Sequence, residues 1–350
     1  VCGDRIRTHE YNVVDREFLR GCDGQPSRHF ADHLRHRTAN LRTVQESDVT
    51  RLSRALHTGA FAVTSEIGPP KHSGISEFAE TARLLAPIVD AANVTDNQTA
   101  QSRMSPLAAG RIALDNGLEP VMQITVRDRN RLAITSDLLG ASALGLHNTL
   151  SMTGDPIHVG NHPTATPVND IDTLALLRLQ NELRNGRFAN DTHEEMTGAF
   201  PELCIGATAN PMAADLDVEI SKLRAKMDAG ADFFQTQLCY QPERVALFLE
   251  RLRASDLDHW PRLLIGVGPF KHARMARHMR DNVWGVEVPD ALIARMESAT
   301  DEGEVGKQIC IEVIEELREM DGVAGCHVMA VAWERSVPEI LTRAGIRPTD

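Results

Sequence analysis

Eight short runs rich in β-branched and apolar residues recur after residue 60. They read FAVTSEI (61–67), VDAANVT (89–95), EPVMQITV (119–126), HNTLSMT (147–153), LCIGATA (203–209), DFFQTQL (232–238), RLLIGVG (262–268) and GCHVMAV (325–331). Between them apolar residues return at i, i+3, i+4 and i+7. Ile75, Phe78, Ala79, Ala82 and Leu85 follow this spacing, as do Ile309, Val313, Ile314, Leu317 and Met320. That period puts side chains on one face of a helix, whereas the short runs have the length and composition of strands. Strands separated by helices pair in parallel, because a parallel pair needs a long crossover. Eight such units close into a (β/α)8 TIM barrel. An open doubly wound sheet is the alternative, weakened by the lack of a G-x-G-x-x-G turn after the first run.

Residues 1–50 are different. They are dense in Arg, Asp and His with little apolar periodicity, and they predict a partly helical N-terminal extension ahead of a barrel over 51–350. The first barrel helix is expected from near Ser47 through RLSRALHTG, with Gly59 just past its end. The longest non-periodic stretch inside the barrel is GDPIHVGNHPTATPVND (154–170), and a loop of that length in a compact domain is usually functional.

Composition narrows the function classes. The chain has 350 residues and 42 % hydrophobic content, enough for a sizeable core, but only 4 % aromatics, so the core must rest on aliphatic side chains. A net charge of −12 repels nucleic acid and anionic membrane surfaces. No apolar run spans a membrane and no apolar leader opens the chain, which predicts a cytoplasmic protein. Cys2, Cys22, Cys204, Cys239, Cys310 and Cys326 form no C-x-x-C pair, so reduced thiols are expected rather than zinc or disulfides. His29, His33 and His36 have helical spacing without carboxylate or thiol partners and read as a solvated face; no metal site is expected.

In a TIM barrel the chemistry collects at the C-terminal ends of the strands. That rule selects Ser65 and Glu66 after the first strand, Thr95, Asp96 and Asn97 after the second, and Gln123, Thr125, Arg127 and Asp128 at the third. It also selects Thr153, Gly154 and Asp155 at the fourth, Thr208 and Asn210 at the fifth, and Gln235 and Gln237 on the sixth. Glu66 lies in an apolar strand beside a rigid Gly68-Pro69-Pro70 turn. Desolvation there raises a carboxyl pKa and suits a general acid, although a rim carboxylate paired with a cation fits the same position. Gly154-Asp155 fits close ligand approach or a plain turn. Gln237 fits a heterocycle edge or an interior amide pair, and Lys226 a phosphate or an exposed helix face.

TSEIGPP (64–70), QITVRDRNR (123–131), SMTGD (151–155), KMDAGADFFQTQ (226–237) and AGIRP (344–348) occur in the order seen in methylenetetrahydrofolate reductases, and the chain resembles that family over roughly residues 61–348. The wording is closest to the branch of actinobacteria and acetogens. The resemblance implies a barrel holding FAD at the strand ends and passing hydride to 5,10-methylenetetrahydrofolate to give 5-methyltetrahydrofolate, a step toward methionine. It implies Glu66 as general acid, Asp155 near flavin and pterin, and Gln237 on the folate. Flavin contacts would fall on Thr95, Gln123, Thr153, Gly154, Asp155, Thr208, Asn210 and Lys226. The chain departs from the family where Gln123 replaces a frequent His and Thr153 a frequent Arg, and where Ala273, three residues after Phe270, replaces a stacking aromatic. FMN in place of FAD, or no flavin at all, therefore stays open, as does NADH against NADPH. The alternative on the same barrel is a tetrahydrofolate-dependent methyltransferase or demethylase, with a methyl-transfer partner protein or a homo-oligomer as the expected assembly.

Overall fold

The computed structural model describes residues 50–283 and 285–346. The expected extension over 1–50, with its histidines and Cys2 and Cys22, lies outside the described residues except for Thr50, as does the end of the AGIRP motif. Eight parallel strands close in sequence order: β1 (Ala62–Ile67), β2 (Ala91–Val94), β3 (Pro120–Thr125), β4 (Asn148–Met152), β5 (Cys204–Ala209), β6 (Phe233–Leu238), β7 (Leu263–Val267) and β8 (Val323–Val328), with β8 pairing back onto β1. The last strand starts two residues earlier than its sequence pattern suggests. Gly322, at φ +100°, turns the chain so that Val323 already pairs with Leu263.

Helices cover the outside. They are α1 (Arg51–Thr58), α2 (Ser76–Leu85), α3 (Pro106–Asp115), α4 (Arg131–Ala143), α5 (Thr173–Arg184), α6 (Leu216–Asp228), α7 (Pro242–Ala254), α8 (Ala273–Asn282), α9 (Asp290–Glu297), α10 (Glu302–Arg318) and α11 (Val337–Arg343). The periodic residues sit where their spacing placed them: Phe78, Ala79, Ala82 and Leu85 bury one face of α2, and Ile309, Val313, Ile314 and Leu317 one face of α10. Ile75 instead precedes α2 and stays exposed. None of the described helices is long and apolar enough to cross a membrane.

α1 precedes the first strand and closes the N-terminal end of the barrel. Thr50 and Ser53 cap it reciprocally, and Gly59 ends it in the left-handed region. The Glu119 carboxylate accepts from the Arg51 and Leu52 N–H groups at 2.6 and 3.0 Å, which places an anion at the positive end of the helix. Leu52, Ala55 and Leu56 pack against Ala62, Ala91, Val121, Leu150, Cys204, Phe233 and Leu264, one residue from each of seven strands. Successive side chains on a strand alternate between faces, so positions two and four residues further along share this inward face. That register carries Ala62 to Thr64 and Glu66, Ala91 to Asn93 and Thr95, Val121 to Gln123, Cys204 to Thr208, and Phe233 to Gln235 and Gln237.

Candidate functional site at the C-terminal mouth

The middle of the barrel is polar. Asn93 Nδ2 donates to Gln235 Oε1 at 2.7 Å, and Gln235 Nε2 donates to Asn93 Oδ1 and Thr64 Oγ1, both at 3.1 Å. Thr64 Oγ1 meets His327 Nδ1 at 3.0 Å. All four side chains are buried, and burial pushes the His327 imidazole down to about 3, so it is neutral at physiological pH. The quartet joins β1, β2, β6 and β8 in a floor beneath the mouth. Gln235 was a sequence candidate; His327 was not, although a His alternating with apolar residues in GCHVMAV was the available signal.

Glu66 stands one inward step above Thr64. Its carboxyl accepts from Gln123 Nε2 at 3.5 Å, a long bond that leaves it largely uncompensated. Burial raises its pKa to about 7; the Gln123 bond opposes the rise and the Glu334 carboxylate adds to it. Glu334 lies in the short helix Glu334–Ser336 after β8, and burial raises its proton affinity too. Among the described residues no cation stabilises the Glu66 carboxylate, and a pKa pushed up to about 7 makes it a mixture of acid and carboxylate near neutrality, the property a proton donor needs. The rim carboxylate paired with a cation is not what forms here.

The β2 and β4 loops interlock over the end of β3. Asp155 Oδ2 accepts from Thr99 N–H at 2.7 Å, and Asn161 Oδ1 accepts from Ser102 N–H at 2.9 Å. Buried Arg127 pairs with Asp128 and donates to the Asp155 carbonyl at 3.0 Å. Asn97, Thr99 and Ala100 adopt positive φ in this loop, a conformation that costs free energy for residues other than glycine. Asp155 thus sits at the mouth with its carboxylate engaged by a neighbouring loop. Thr95 Oγ1 is likewise held by the Gln98 side chain. Gly154 fits its place for a steric reason: at φ +90° a Cβ there would meet Thr125 Cβ at 3.1 Å and Arg127 Cβ at 3.2 Å. Thr153 Oγ1 is exposed and reaches Thr173 Oγ1 at 3.1 Å.

The opposite wall comes from β5 and β6. Asn210 and Gln237 flank Gly285, where a Cβ would stand 3.6 Å from Asn210 Nδ2 and 3.7 Å from Gln237 Cγ. Gln237 Oε1 accepts from Leu238 N–H at 3.0 Å. Lys226 Nζ donates to the Thr208 carbonyl at 2.5 Å, and burial lowers the amine's pKa. Lys226 also lines a groove of about 560 Å³ beside α6, with Leu174, Val218, Ser221 and Lys222 among its walls. Phe270, three residues before Ala273, is buried against Tyr240, their ring centroids 4.6 Å apart. The sequence candidates thus fall into three groups around one mouth: Glu66 with Gln123; Thr95, Thr153, Gly154 and Asp155 at the interlocked loops; and Thr208, Asn210 and Gln237. Lys226 stands apart on α6, reaching the Thr208 carbonyl from the helix layer.

Residues 51–345 match the family model described as methylenetetrahydrofolate reductase. Methylenetetrahydrofolate reductase 2 of Saccharomyces cerevisiae is 24 % identical over 256 residues, covering 71 % of this chain and 40 % of the yeast protein. Methylenetetrahydrofolate reductase 1 of Schizosaccharomyces pombe is 25 % identical over 255 residues, covering 70 % and 39 %. The match thus spans about 40 % of the length of these relatives. Among solved structures, an uncharacterised Clostridium thermocellum protein that binds two copies of 5-methyl-5,6,7,8-tetrahydrofolic acid superposes with a TM-score of 0.59. It is 16 % identical, with 83 % of this chain and 95 % of that one covered, and the likeness is one of fold.

Proposed function

This chain belongs to the methylenetetrahydrofolate reductase family, and from that premise we propose that it reduces 5,10-methylenetetrahydrofolate to 5-methyltetrahydrofolate with a flavin as hydride source. The observation that carries the reading is Glu66: an inward carboxyl at the mouth, bonded only weakly to Gln123 and titrating at about 7. Opening the substrate's five-membered ring breaks a carbon–nitrogen bond, and the departing nitrogen N10 needs a proton. Protonated Glu66 supplies it and leaves an iminium carbon ready for hydride. The Clostridium thermocellum fold neighbour's folate binding agrees with a folate ligand here.

The residues present suit a flavin. Lys226, beside a groove that Lys222, Asp215 and Asp217 also line, is the amine we assign to a phosphate, and Gly154 lets the β4 turn close on Thr125 and Arg127. Gln123, Thr153, Thr208 and Asn210 supply amide and hydroxyl groups around it. A bound flavin, FAD by family preference, supplies the hydride. Gln237 orients the pterin edge by donating and accepting, and Asp155 turns from Thr99 N–H to the pterin when folate enters. Because Thr95 and Asp155 are both engaged by the 97–101 loop, flavin loading is the first property to test.

The test is anaerobic. Purified protein is loaded with FAD, reduced with NADH or NADPH in parallel, and mixed with methylenetetrahydrofolate while flavin absorbance is followed. Reoxidation with formation of 5-methyltetrahydrofolate is expected. A protein that takes no flavin yet binds folate and transfers its methyl group would replace the reductase reading by the transferase one.

A further inference from the structure

Asp155 is carried by a loop that the core does not position. From Thr153 to Asp170 no residue is buried, so the loop keeps its place through hydrogen bonds rather than through packing. Both of its ends are tied to one residue. Arg127 Nη1 donates to the Asp155 carbonyl at 3.0 Å, and Val168 N–H donates to the Arg127 carbonyl at 2.8 Å. Over the same stretch the Asp155 and Asn161 side chains accept from Thr99 and Ser102 N–H, and Gly160 lies so close to the Ala100 carbonyl that no Cβ fits there.

Arg127 follows the end of β3 and is buried, so its own position is set by the barrel. All three of its side-chain nitrogens are engaged. Nε and Nη2 fork onto the Asp128 carboxylate at 2.7 and 2.6 Å, and Nη2 also reaches the Asn97 carbonyl at 3.4 Å. The guanidinium holds the Asp128 carboxyl below the usual carboxylate range, so the two charges meet within one turn of chain. A guanidinium spent in this way holds backbone and has little left for a ligand anion. It joins the β2 loop at Asn97 to the β4 loop at Asp155. A carboxylate passes from a backbone N–H to a ligand by side-chain rotation only where its own main chain stays put, and Arg127 supplies that fixed point.

We propose that Arg127 is a positioning residue for the reaction: by clamping the Asp155 carbonyl and the Val168 amide it fixes the main chain from which the Asp155 carboxylate reaches the pterin. The assignment rests on the reading of Asp155 as a pterin contact.

The test is a double-mutant cycle, read by equilibrium binding of 5-methyltetrahydrofolate to the wild type, Arg127→Met, Asp155→Ala and the double variant. Arg127→Met keeps the length of the side chain, and the Asp128 it leaves behind is exposed and can be solvated. It should weaken binding by roughly 10- to 100-fold, the range for one hydrogen bond to a charged group. It should add nothing once Asp155→Ala has removed the carboxylate. Arg127→Lys should recover part of the affinity, because one amine can still hold the Asp155 carbonyl. Equal losses in both backgrounds would make Arg127 a residue of the fold at large and overturn the proposal, as would full affinity in Arg127→Met. A second readout needs no ligand. Amide exchange at Thr99 should be slow in the wild type and faster in Arg127→Met, because the Asp155 carboxylate that accepts from it is no longer held in place. A wild type that does not bind the folate would remove the folate reading. Thr99 exchange then decides the positioning of Asp155, and equal protection in the wild type and Arg127→Met overturns it. Should Arg127→Met not fold, Arg127→Lys goes through the same cycle, and equal losses in both backgrounds contradict the assignment.

Discussion

The two ends of the barrel interior are built from the same strands and obey opposite rules. At the N-terminal end, Ala62, Val121, Leu150, Phe233 and Leu264 meet the α1 side chains in an apolar plug. Four residues further along β1 and β6 the inward positions are Glu66 and Gln237. Between them the Thr64, Asn93, Gln235 and His327 quartet satisfies its own hydrogen bonds and marks the change. The comparison teaches that stability and chemistry are separated along each strand by two steps of side-chain alternation. The acid gains its altered proton affinity from burial above a polar layer that already satisfies its own hydrogen bonds.

The largest effect should come from breaking the plug. Phe233 is fully buried and its ring fills the space over Gly206. Phe233→Ala should cost about 3–5 kcal/mol in denaturant unfolding, with little change in ligand affinity per folded molecule. A comparable loss of affinity in the folded protein would mean the two ends are coupled.

The quartet should respond less. His327→Ala leaves Thr64 and Asn93 short of a partner and should destabilise the fold by about 2 kcal/mol. Its acid dependence has a definite sign. The folded imidazole titrates at about 3 against an ordinary 6.5, so the unfolded chain binds the extra proton, and stability falls as pH drops from 6.5 toward 3. Variants at His327 should lose that part of the acid dependence in thermal melts.

The smallest effect is at Glu66 and has the opposite pH sense. Its carboxyl is raised from 4.5 to about 7, so the folded state holds a proton that the unfolded state releases. The stability it contributes is complete below 4.5 and is lost as pH rises to 7. Glu66→Gln should therefore melt higher than wild type at pH 8, by on the order of 1–2 kcal/mol once partial solvent screening is allowed for, and the gap should close near pH 4.5. A variant less stable than wild type at pH 8 would mean that Glu66 is held as a carboxylate.

The barrel was legible because its signals are local. β-branched runs, helix-period apolar residues and the Gly59 stop each depend on neighbours in sequence, and seven of the eight strands begin and end within two residues of their patterns. Glu66 was legible for the same reason, since an acid in an apolar strand beside Gly-Pro-Pro is anomalous on its face. What escaped depends on contacts distant in sequence. The engagement of Asp155 by Thr99 requires left-handed backbone at Thr99 and Ala100, which neither residue type advertises, although Asn97 favours it. The buried partners of His327 come from residues more than two hundred positions away. Phe270, three residues before Ala273, packs against Tyr240 from the β6 loop, a pairing of residues thirty positions apart.

The most direct measurement is the pH profile of flavin reoxidation by methylenetetrahydrofolate in single turnovers, for wild type and Glu66→Gln. The wild-type rate constant should fall above an apparent pKa near 7 as Glu66 loses its proton. The variant should be slower by roughly 10²- to 10⁴-fold with no such inflection, while reduction of the flavin is preserved. A variant that turns over at the wild-type rate, or keeps the same inflection, would contradict it.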